Sequence, residues 1–243
     1  TIRWLSVNDW KIDDLNFGAL LAGEPMQEAR QETSRLTRRL ISDVSTRELL
    51  DRLSIVGFPF NDAMALAVGN TEPAIVRSKE HFDELVGPWI QPLGESQFEV
   101  SPLLQDLWRS YLVLELQKRL HITVAYEYVK RKTIKANDAL QTCLHLHAAE
   151  DFKTLADFLV QFMLQIKTAQ QAKYFDWVQW FYTPGKKWPS AIPLGERILI
   201  RASQVRVLIM SGQNTERYET DLEQLISLAK DEDAMAIAYA RFH

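Results

Sequence analysis

Apolar residues recur at helical spacing in the stretch that follows Ser45. Leu49, Leu50, Leu53 and the pair Ile55-Val56 form one buried face, and Ser45-Thr46-Arg47-Glu48 precedes them with the Ser-x-x-Glu spacing of a capping box. The pattern therefore predicts a helix that begins at Ser45. Gly57 to Phe60 ends this helix. Two further short helices are predicted, one capped by Asn61 and one capped by Ser78 with Phe82 and Leu85 on one side.

Residues 89–100 change to an alternating pattern. Two runs that alternate apolar and polar residues, 89–93 and 97–100, flank a turn that contains Gly94. This arrangement predicts a β-hairpin, and Ser101-Pro102 then marks the start of the next helix. Three helices followed by a hairpin is the element order of a winged helix, which we place at residues 45–110.

The segment before Ser45 shows a less regular pattern. Apolar residues within 1–24, including Trp10 and Leu15, predict one irregular helix, and a charged helix is predicted from Pro25 to Asp43 with Leu36, Leu40 and Ile41 facing inward. We treat residues 1–44 as an N-terminal helical segment.

From Leu103 to the end, the pattern is helical throughout. Helices are predicted at 103–131, 135–147, 150–168, 169–182, 194–212, 215–230 and 232–243. Small residues such as Ala139 and Ala156 stand where paired helices must approach closely, and short connections join helices of similar length. The predicted fold is thus all-α: a winged-helix module with one short hairpin, followed over residues 111–243 by an α-solenoid of tetratricopeptide-like helix hairpins.

Composition and charge indicate which partners and which cellular compartment to expect. A formal charge of -4 gives no electrostatic reason to expect a phosphate backbone or an anionic membrane as partner. With Cys143 as its one cysteine, the chain has no internal disulfide, which fits a reducing, cytoplasmic compartment, and no apolar run is long enough to span a bilayer. Because the chain starts at Thr1 and its last predicted helix runs to His243, we expect it to be a fragment of a longer protein.

Several stretches resemble one family. Leu49–Phe60 (LLDRLSIVGFPF) resembles the opening of the winged helix in STAND-type signalling ATPases, a group that includes the maltose-regulator-like activators and the NB-ARC proteins. Phe98–Asp106 (FEVSPLLQD) looks like the family signature after the wing, aromatic-x-His-Pro/Asp-Leu-Leu. Ala136–Leu140 and Ala148–Phe152 are similar to the tetratricopeptide-like helices that follow. The resemblance covers about half of the chain, roughly residues 45–165.

The resemblance implies a switch protein with an upstream nucleotide-binding domain. The winged helix would pack on that domain and hold it closed, and the helical repeats would sense a signal or bind a partner protein. In some members a His after the wing contacts a nucleotide phosphate. Ser101 stands at that position here, and Ser can donate one hydrogen bond but carries no positive charge. A role as a plain N-cap explains Ser101 as well.

Catalytic, cofactor and metal motifs are not found in the sequence. The phosphate-binding loop of an ATPase is absent, because Gly185-Lys186-Lys187 has Trp180 where the motif needs its first glycine. Cys143 and His147 share a helix face, but two side chains do not make a structural zinc site. We therefore expect a non-catalytic chain without cofactor or metal.

A winged helix that contacts DNA, as in a transcription factor, is the alternative function. Its reading helix would be Ser78–Val86, which has an acidic charge balance, and the wing tip carries Glu95. Since phosphate neutralisation supplies most non-specific DNA affinity, this surface disfavours nucleic acid as a partner.

The aromatic run from Tyr174 to Tyr182 is the candidate partner-binding surface. On the predicted helix Tyr174, Trp177 and Phe181 share a side, and Trp188 follows. Rigid aromatic side chains are favoured at binding hot spots. They are equally typical of a helix packed between neighbours, so core and interface both remain open for this run.

Overall fold

The structure of the chain is a computed structural model, which describes residues 35–36, 38–105, 107–229 and 233–242. It divides into two compact units, Thr1–Thr123 and Val124–His243, with the division inside one helix. This division differs from the boundary that the sequence predicts between the winged-helix module and the helical repeats, at residues 110/111, and that predicted boundary stays a prediction. The irregular helix predicted at 1–24, and most of the helix predicted at 25–43, lie outside the described residues.

The described part of unit 1 is built from helices and a small sheet. Its elements are α1 (Val44–Leu53), β1 (Phe60–Asn61), α2 (Asp62–Gly69), α3 (Ser78–Leu85), β2 (Ile90–Gly94), β3 (Gln97–Val100), a 3-10 turn (Pro102–Leu104), α4 (Leu107–Tyr111) and α5 (Leu114–Val129), which continues into unit 2.

The strands of unit 1 form an antiparallel sheet in the order β1-β3-β2. The hairpin predicted at residues 89–100 is present as β2 and β3. The sheet differs from the prediction by its third strand: β1 pairs with β3 through Phe60 opposite Phe98. On β2, Pro92 lies opposite Phe98, and the register shifts between Pro92 and Gly94.

One face of α1 forms the core of unit 1 with α2, α3 and the sheet. Leu49, Leu50 and Leu53 are fully buried, as their spacing predicts. Phe60 and Phe82 pack with Phe98, at ring-centroid distances of 5.1 to 6.4 Å. Burial of such aromatic rings joins the sheet to α3.

Two of the three helix caps predicted in unit 1 differ from the observed ones. Helix α1 is capped by Asp43 and not by Ser45, because the Asp43 carboxylate accepts the backbone N–H of Thr46 at 2.7 Å. Helix α3 begins at Ser78, but its N-cap residue is Arg77, in a left-handed conformation with φ 56°. Asn61 caps α2 as predicted, accepting the N–H of Met64 at 3.0 Å.

The long helix predicted at 103–131 is wrong. The segment is interrupted and forms α4 and α5. The side-chain amide of Gln117 donates to the carbonyl of Leu112 at 2.7 Å, so this carbonyl has a partner although the helix is not continuous there.

The segment before α1 also departs from its prediction. Ile41 is buried, as predicted, but Leu36 and Leu40 are 50% and 75% exposed.

Unit 2 is helical throughout its described residues. After the end of α5 come α6 (Ala136–Ala148), α7 (Phe152–Leu164), α8 (Ala169–Tyr174), a 3-10 helix (Asp176–Trp180), α9 (Leu194–Ser211), α10 (Glu216–Ser227) and α11 (Ala234–Phe242). Helices α6, α7 and α9 surround one apolar core, and α9, α10 and α11 surround a second. Within the described ranges, no helix has the length and apolar character needed to cross a membrane.

Burial of His121 on α5 gives unit 1 a pH-dependent stability. The imidazole is 6% exposed and meets the Trp108 ring edge-on at 5.3 Å. Burial, with a smaller contribution from the charge of Arg109, lowers the pKa of His121 from 6.5 to about 4. Between these two pH values the unfolded chain binds a proton that the folded chain does not bind, so stability falls as the pH falls from 6.5 to 4.

We expect His121 to account for about 3 kcal/mol of unfolding free energy lost between pH 7 and pH 4, since one pKa unit corresponds to about 1.4 kcal/mol. Urea unfolding across this pH range measures it, with His121→Gln as the comparison because Gln does not titrate. The unfolding free energy of the wild type should fall more steeply with acid than that of the variant. Parallel pH dependence of the two proteins would contradict the assignment.

Candidate protein-interaction surface

The aromatic run 174–182 does not form the single helix predicted at 169–182. Helix α8 ends at Tyr174, a 3-10 helix covers Asp176–Trp180, and Tyr182 adopts a left-handed conformation with φ 52°. The reason lies in α9, where the buried side-chain amide of Gln204 donates to the carbonyls of Val178 and Phe181, both at 2.8 Å. These bonds satisfy carbonyls that a continuous helix would use internally.

The structure separates the four aromatic residues proposed for partner binding. Trp177 and Phe181 are each 5% exposed and pack on one another with ring centroids 6.0 Å apart. Trp188 is half-buried and stacks on Tyr182 at 5.0 Å. Tyr174 is 65% exposed. Of this set, Tyr174 keeps the most surface for a partner, and the binding role of all four stays a prediction.

Trp180 is an exposed aromatic that the helical pattern did not single out. It is 62% exposed, at the end of the 3-10 helix, although it lies between the buried Trp177 and Phe181. Neither helical period separates Trp180 from Trp177, because side chains three residues apart lie close together in an α-helix and eclipse one another in a 3-10 helix. Nothing in the sequence pattern marks this change of helix type.

A polar groove lies beside the 3-10 helix. It consists of two adjoining depressions, of about 560 and 550 Å³, which share Pro184, Glu216 and Arg217. One wall is the 179–185 segment and the other is α10 with the residues just before it. The Tyr218 hydroxyl donates to the Gln179 carbonyl at 3.1 Å and so ties the two walls together.

Arg201 on α9 supports both walls of the groove. Its guanidinium donates to the Tyr182 carbonyl and to the carboxylate of Asp221, both at 2.7 Å. It also lies over the rings of Trp188 and Tyr218, at 5.2 and 5.0 Å from their centroids. Burial lowers the pKa of Arg201, and the Asp221 carboxylate opposes that shift. A fully buried cation with these partners fixes the shape of the groove.

The other candidate residues are placed apart from this groove. Ser101 precedes the 3-10 turn at Pro102–Leu104, where its side chain makes no capping hydrogen bond, and its N–H donates to the Trp89 carbonyl at 3.1 Å. The predicted capping bond is therefore not formed, and a nucleotide contact at Ser101 stays a prediction.

Cys143 and His147 lie on α6 in different environments. Cys143 is fully buried, which raises the pKa of its thiol, whereas His147 is exposed and meets the Phe152 ring edge-on at 5.7 Å. Across the described ranges, no three His, Cys, Asp or Glu side chains come together as a metal site would require. Neither Cys143 nor His147 therefore belongs to a group of metal-ligating side chains in the described part of the chain.

Comparisons with known proteins leave the family open. No protein-family model, no curated protein and no solved structure matches the chain.

Proposed function

We propose that this chain is a non-catalytic regulatory and protein-interaction region of a STAND-like signalling ATPase. Unit 1 would act as a winged helix that packs on an upstream nucleotide-binding domain. The tetratricopeptide-like helices of unit 2 would bind a partner protein or sense a signal, in the cytoplasm.

One observation carries this proposal: the element order of unit 1. Helix α1, strand β1, helices α2 and α3, and the hairpin β2–β3 follow one another with sheet order β1-β3-β2. This is the order expected of a winged helix. Of the stretches that resemble the STAND signature, Leu49–Phe60 runs from α1 to β1, and Phe98–Asp106 begins within β3.

The surface of α3 favours protein packing over DNA contact. Its N-cap residue Arg77 pairs with Glu80 at 3.1 Å, and Lys79 within the helix pairs with Asp83 at 2.6 Å. His81 faces α1, where its ring nitrogen lies 2.8 Å from the Thr46 hydroxyl. Positive charge that would neutralise DNA phosphates is therefore already offset along this helix.

The testing experiment uses the protein extended to the start of its reading frame. The upstream sequence is searched for a phosphate-binding loop, and ATP binding is measured by calorimetry on the extended protein and on a variant with the loop lysine replaced by alanine. Nucleotide binding that the lysine variant loses supports the proposal. Lack of such a loop, or of binding, contradicts it.

Duplex DNA binding by the present chain is measured in the same series. We expect none at physiological ionic strength. Binding that Lys79→Glu abolishes would instead favour the transcription-factor alternative.

A further inference from the structure

A small depression in unit 1 lies between the start of α1 and the connection from α4 to α5. Its volume is about 270 Å³. Leu112 and Leu116, which are buried, line it together with Val44 and Val113, which are each 70% exposed. Leu114 follows Val113 and is 61% exposed. Exposed apolar side chains grouped around a depression are typical of a contact surface.

The charged side chains that line this depression already have partners within unit 1. Three pairings account for them: Arg38 with the Asp51 carboxylate, Arg47 with the Ile41 carbonyl, and Glu48 with the buried Arg52. A charged ligand would have to break one of these contacts. What the depression offers an occupant is therefore apolar contact.

The size of the depression favours a side chain over a small-molecule ligand. Pockets for drug-sized ligands span about 300–1,000 Å³ and carry a few polar groups that orient the ligand. The depression in unit 1 is smaller, at about 270 Å³, and its polar groups bond to one another or to the backbone of unit 1. A large apolar side chain matches both its volume and its lining.

An apolar segment of the same chain precedes this face in the sequence. Residues 10–21 contain six large apolar side chains: Trp10, Ile12, Leu15, Phe17, Leu20 and Leu21. Residues 22–37 join this segment to Arg38, which lines the depression. An extended chain of that length spans about 50 Å, so reach does not prevent the contact.

The covalent connection favours this segment over a separate molecule. A connection of this length holds two surfaces at an effective concentration of about 1 mM. A contact with a dissociation constant of only about 0.1 mM is then closed about ten times as often as it is open. A free partner at micromolar concentration would need a far higher affinity to compete.

We propose that residues 10–21 cover this face of unit 1, with one of their apolar side chains in the depression between Val44 and Val113. The contact is intramolecular, and it leaves the face closed to other proteins while the segment is bound. The inference goes beyond the function proposed above and does not rest on the STAND assignment.

Cysteine accessibility in the full chain tests this proposal. Cys143 is the one native cysteine and is fully buried, so a cysteine introduced by Val113→Cys is the reactive one. Val76→Cys is the matched control, because Val76 is 78% exposed and does not line the depression. We expect a maleimide to label Val113→Cys about tenfold more slowly than Val76→Cys, since labelling requires the open form.

Substitutions in the segment separate docking from local differences in reactivity. Trp10→Asp/Leu15→Asp should speed the labelling of Val113→Cys about tenfold and leave that of Val76→Cys unchanged. The pair Phe17→Asp/Leu20→Asp repeats the test should the first pair alter the circular-dichroism spectrum. Labelling of Val113→Cys that neither pair changes would overturn the proposal.

The dependence on protein concentration identifies the occupant. Protection of Val113→Cys by its own chain stays constant on dilution. Protection that decreases on dilution would show that a second copy covers the face, and it would overturn the proposal. None of these results depends on nucleotide binding by the parent protein, so the two proposals fail separately.

Discussion

Replacing Trp177 by alanine is expected to cost about 3 to 5 kcal/mol of unfolding free energy, whereas Trp180→Ala should change it by less than about 0.5 kcal/mol. The indole of Trp177 is 5% exposed and lies among three aromatic rings, those of Phe162, Phe175 and Phe181, at centroid distances of 6.0 to 6.3 Å. Its removal would leave a cavity that these rings are too rigid to fill. Trp180, three residues later, is 62% exposed and loses little packing.

Urea unfolding of both variants, followed by circular dichroism, measures the difference. Trp177→Phe is an informative control, because it keeps an aromatic ring in the cluster and should recover more than half of the loss. If Trp180→Ala proved the more damaging substitution, the assignment of Trp177 to the core and Trp180 to the surface would be wrong.

Replacing Arg201 by methionine is expected to destabilise the chain by a similar amount, about 3 to 5 kcal/mol. The substitution keeps the length of the side chain but removes the cation from Asp221, the donor from the Tyr182 carbonyl and the donor from the Gln204 amide oxygen. A largely buried carboxylate and carbonyl would then be left without partners.

The control for charge loss alone is Arg217→Met, at an exposed position where we expect less than about 0.5 kcal/mol of destabilisation. A double variant, Arg201→Met/Asp221→Leu, removes both charges. It should be more stable than the sum of the single losses predicts, since neither charge is left alone. Simple additivity of the two changes would argue against a coupled pair.

The sequence predicted the parts of the fold that depend on local spacing. The face of α1 with Leu49 and Leu53, the hairpin β2–β3 and the cap at Asn61 all follow from residues close together in the chain. Strand β1 was missed because two residues carry no alternation, and it becomes a strand only through its pairing with β3.

Two other differences from the predicted fold, the N-cap of α1 and the end of α8, arise from competing N-cap residues and from hydrogen bonds to distant side chains. Ser45 and Asp43 are both good N-caps, and the local pattern gave no reason to prefer Asp43. The break of α8 at Tyr174 depends on Gln204, thirty residues away, whose amide binds carbonyls of the aromatic run. No period within the run itself contains that information.

The candidate site likewise depends on contacts between distant residues, which local sequence patterns do not reveal. The aromatic run is recognisable in the sequence as unusual, but the groove joins residues 179–185 to residues 214–224, and no local pattern marks that pairing. What makes these residues a surface is the buried Arg201, which contacts both walls.

Pro92 has a consequence for how the molecule behaves at high concentration. Strand β2 is an edge of its sheet, and exposed sheet edges invite intermolecular strand pairing and amyloid-type stacking. A proline offers no N–H at that edge, and the irregular register beside it bends the strand away from a straight ladder. At the opposite edge, β1 is only two residues long. The sheet therefore gives a second copy little backbone to extend, so contacts with other proteins are left to side chains.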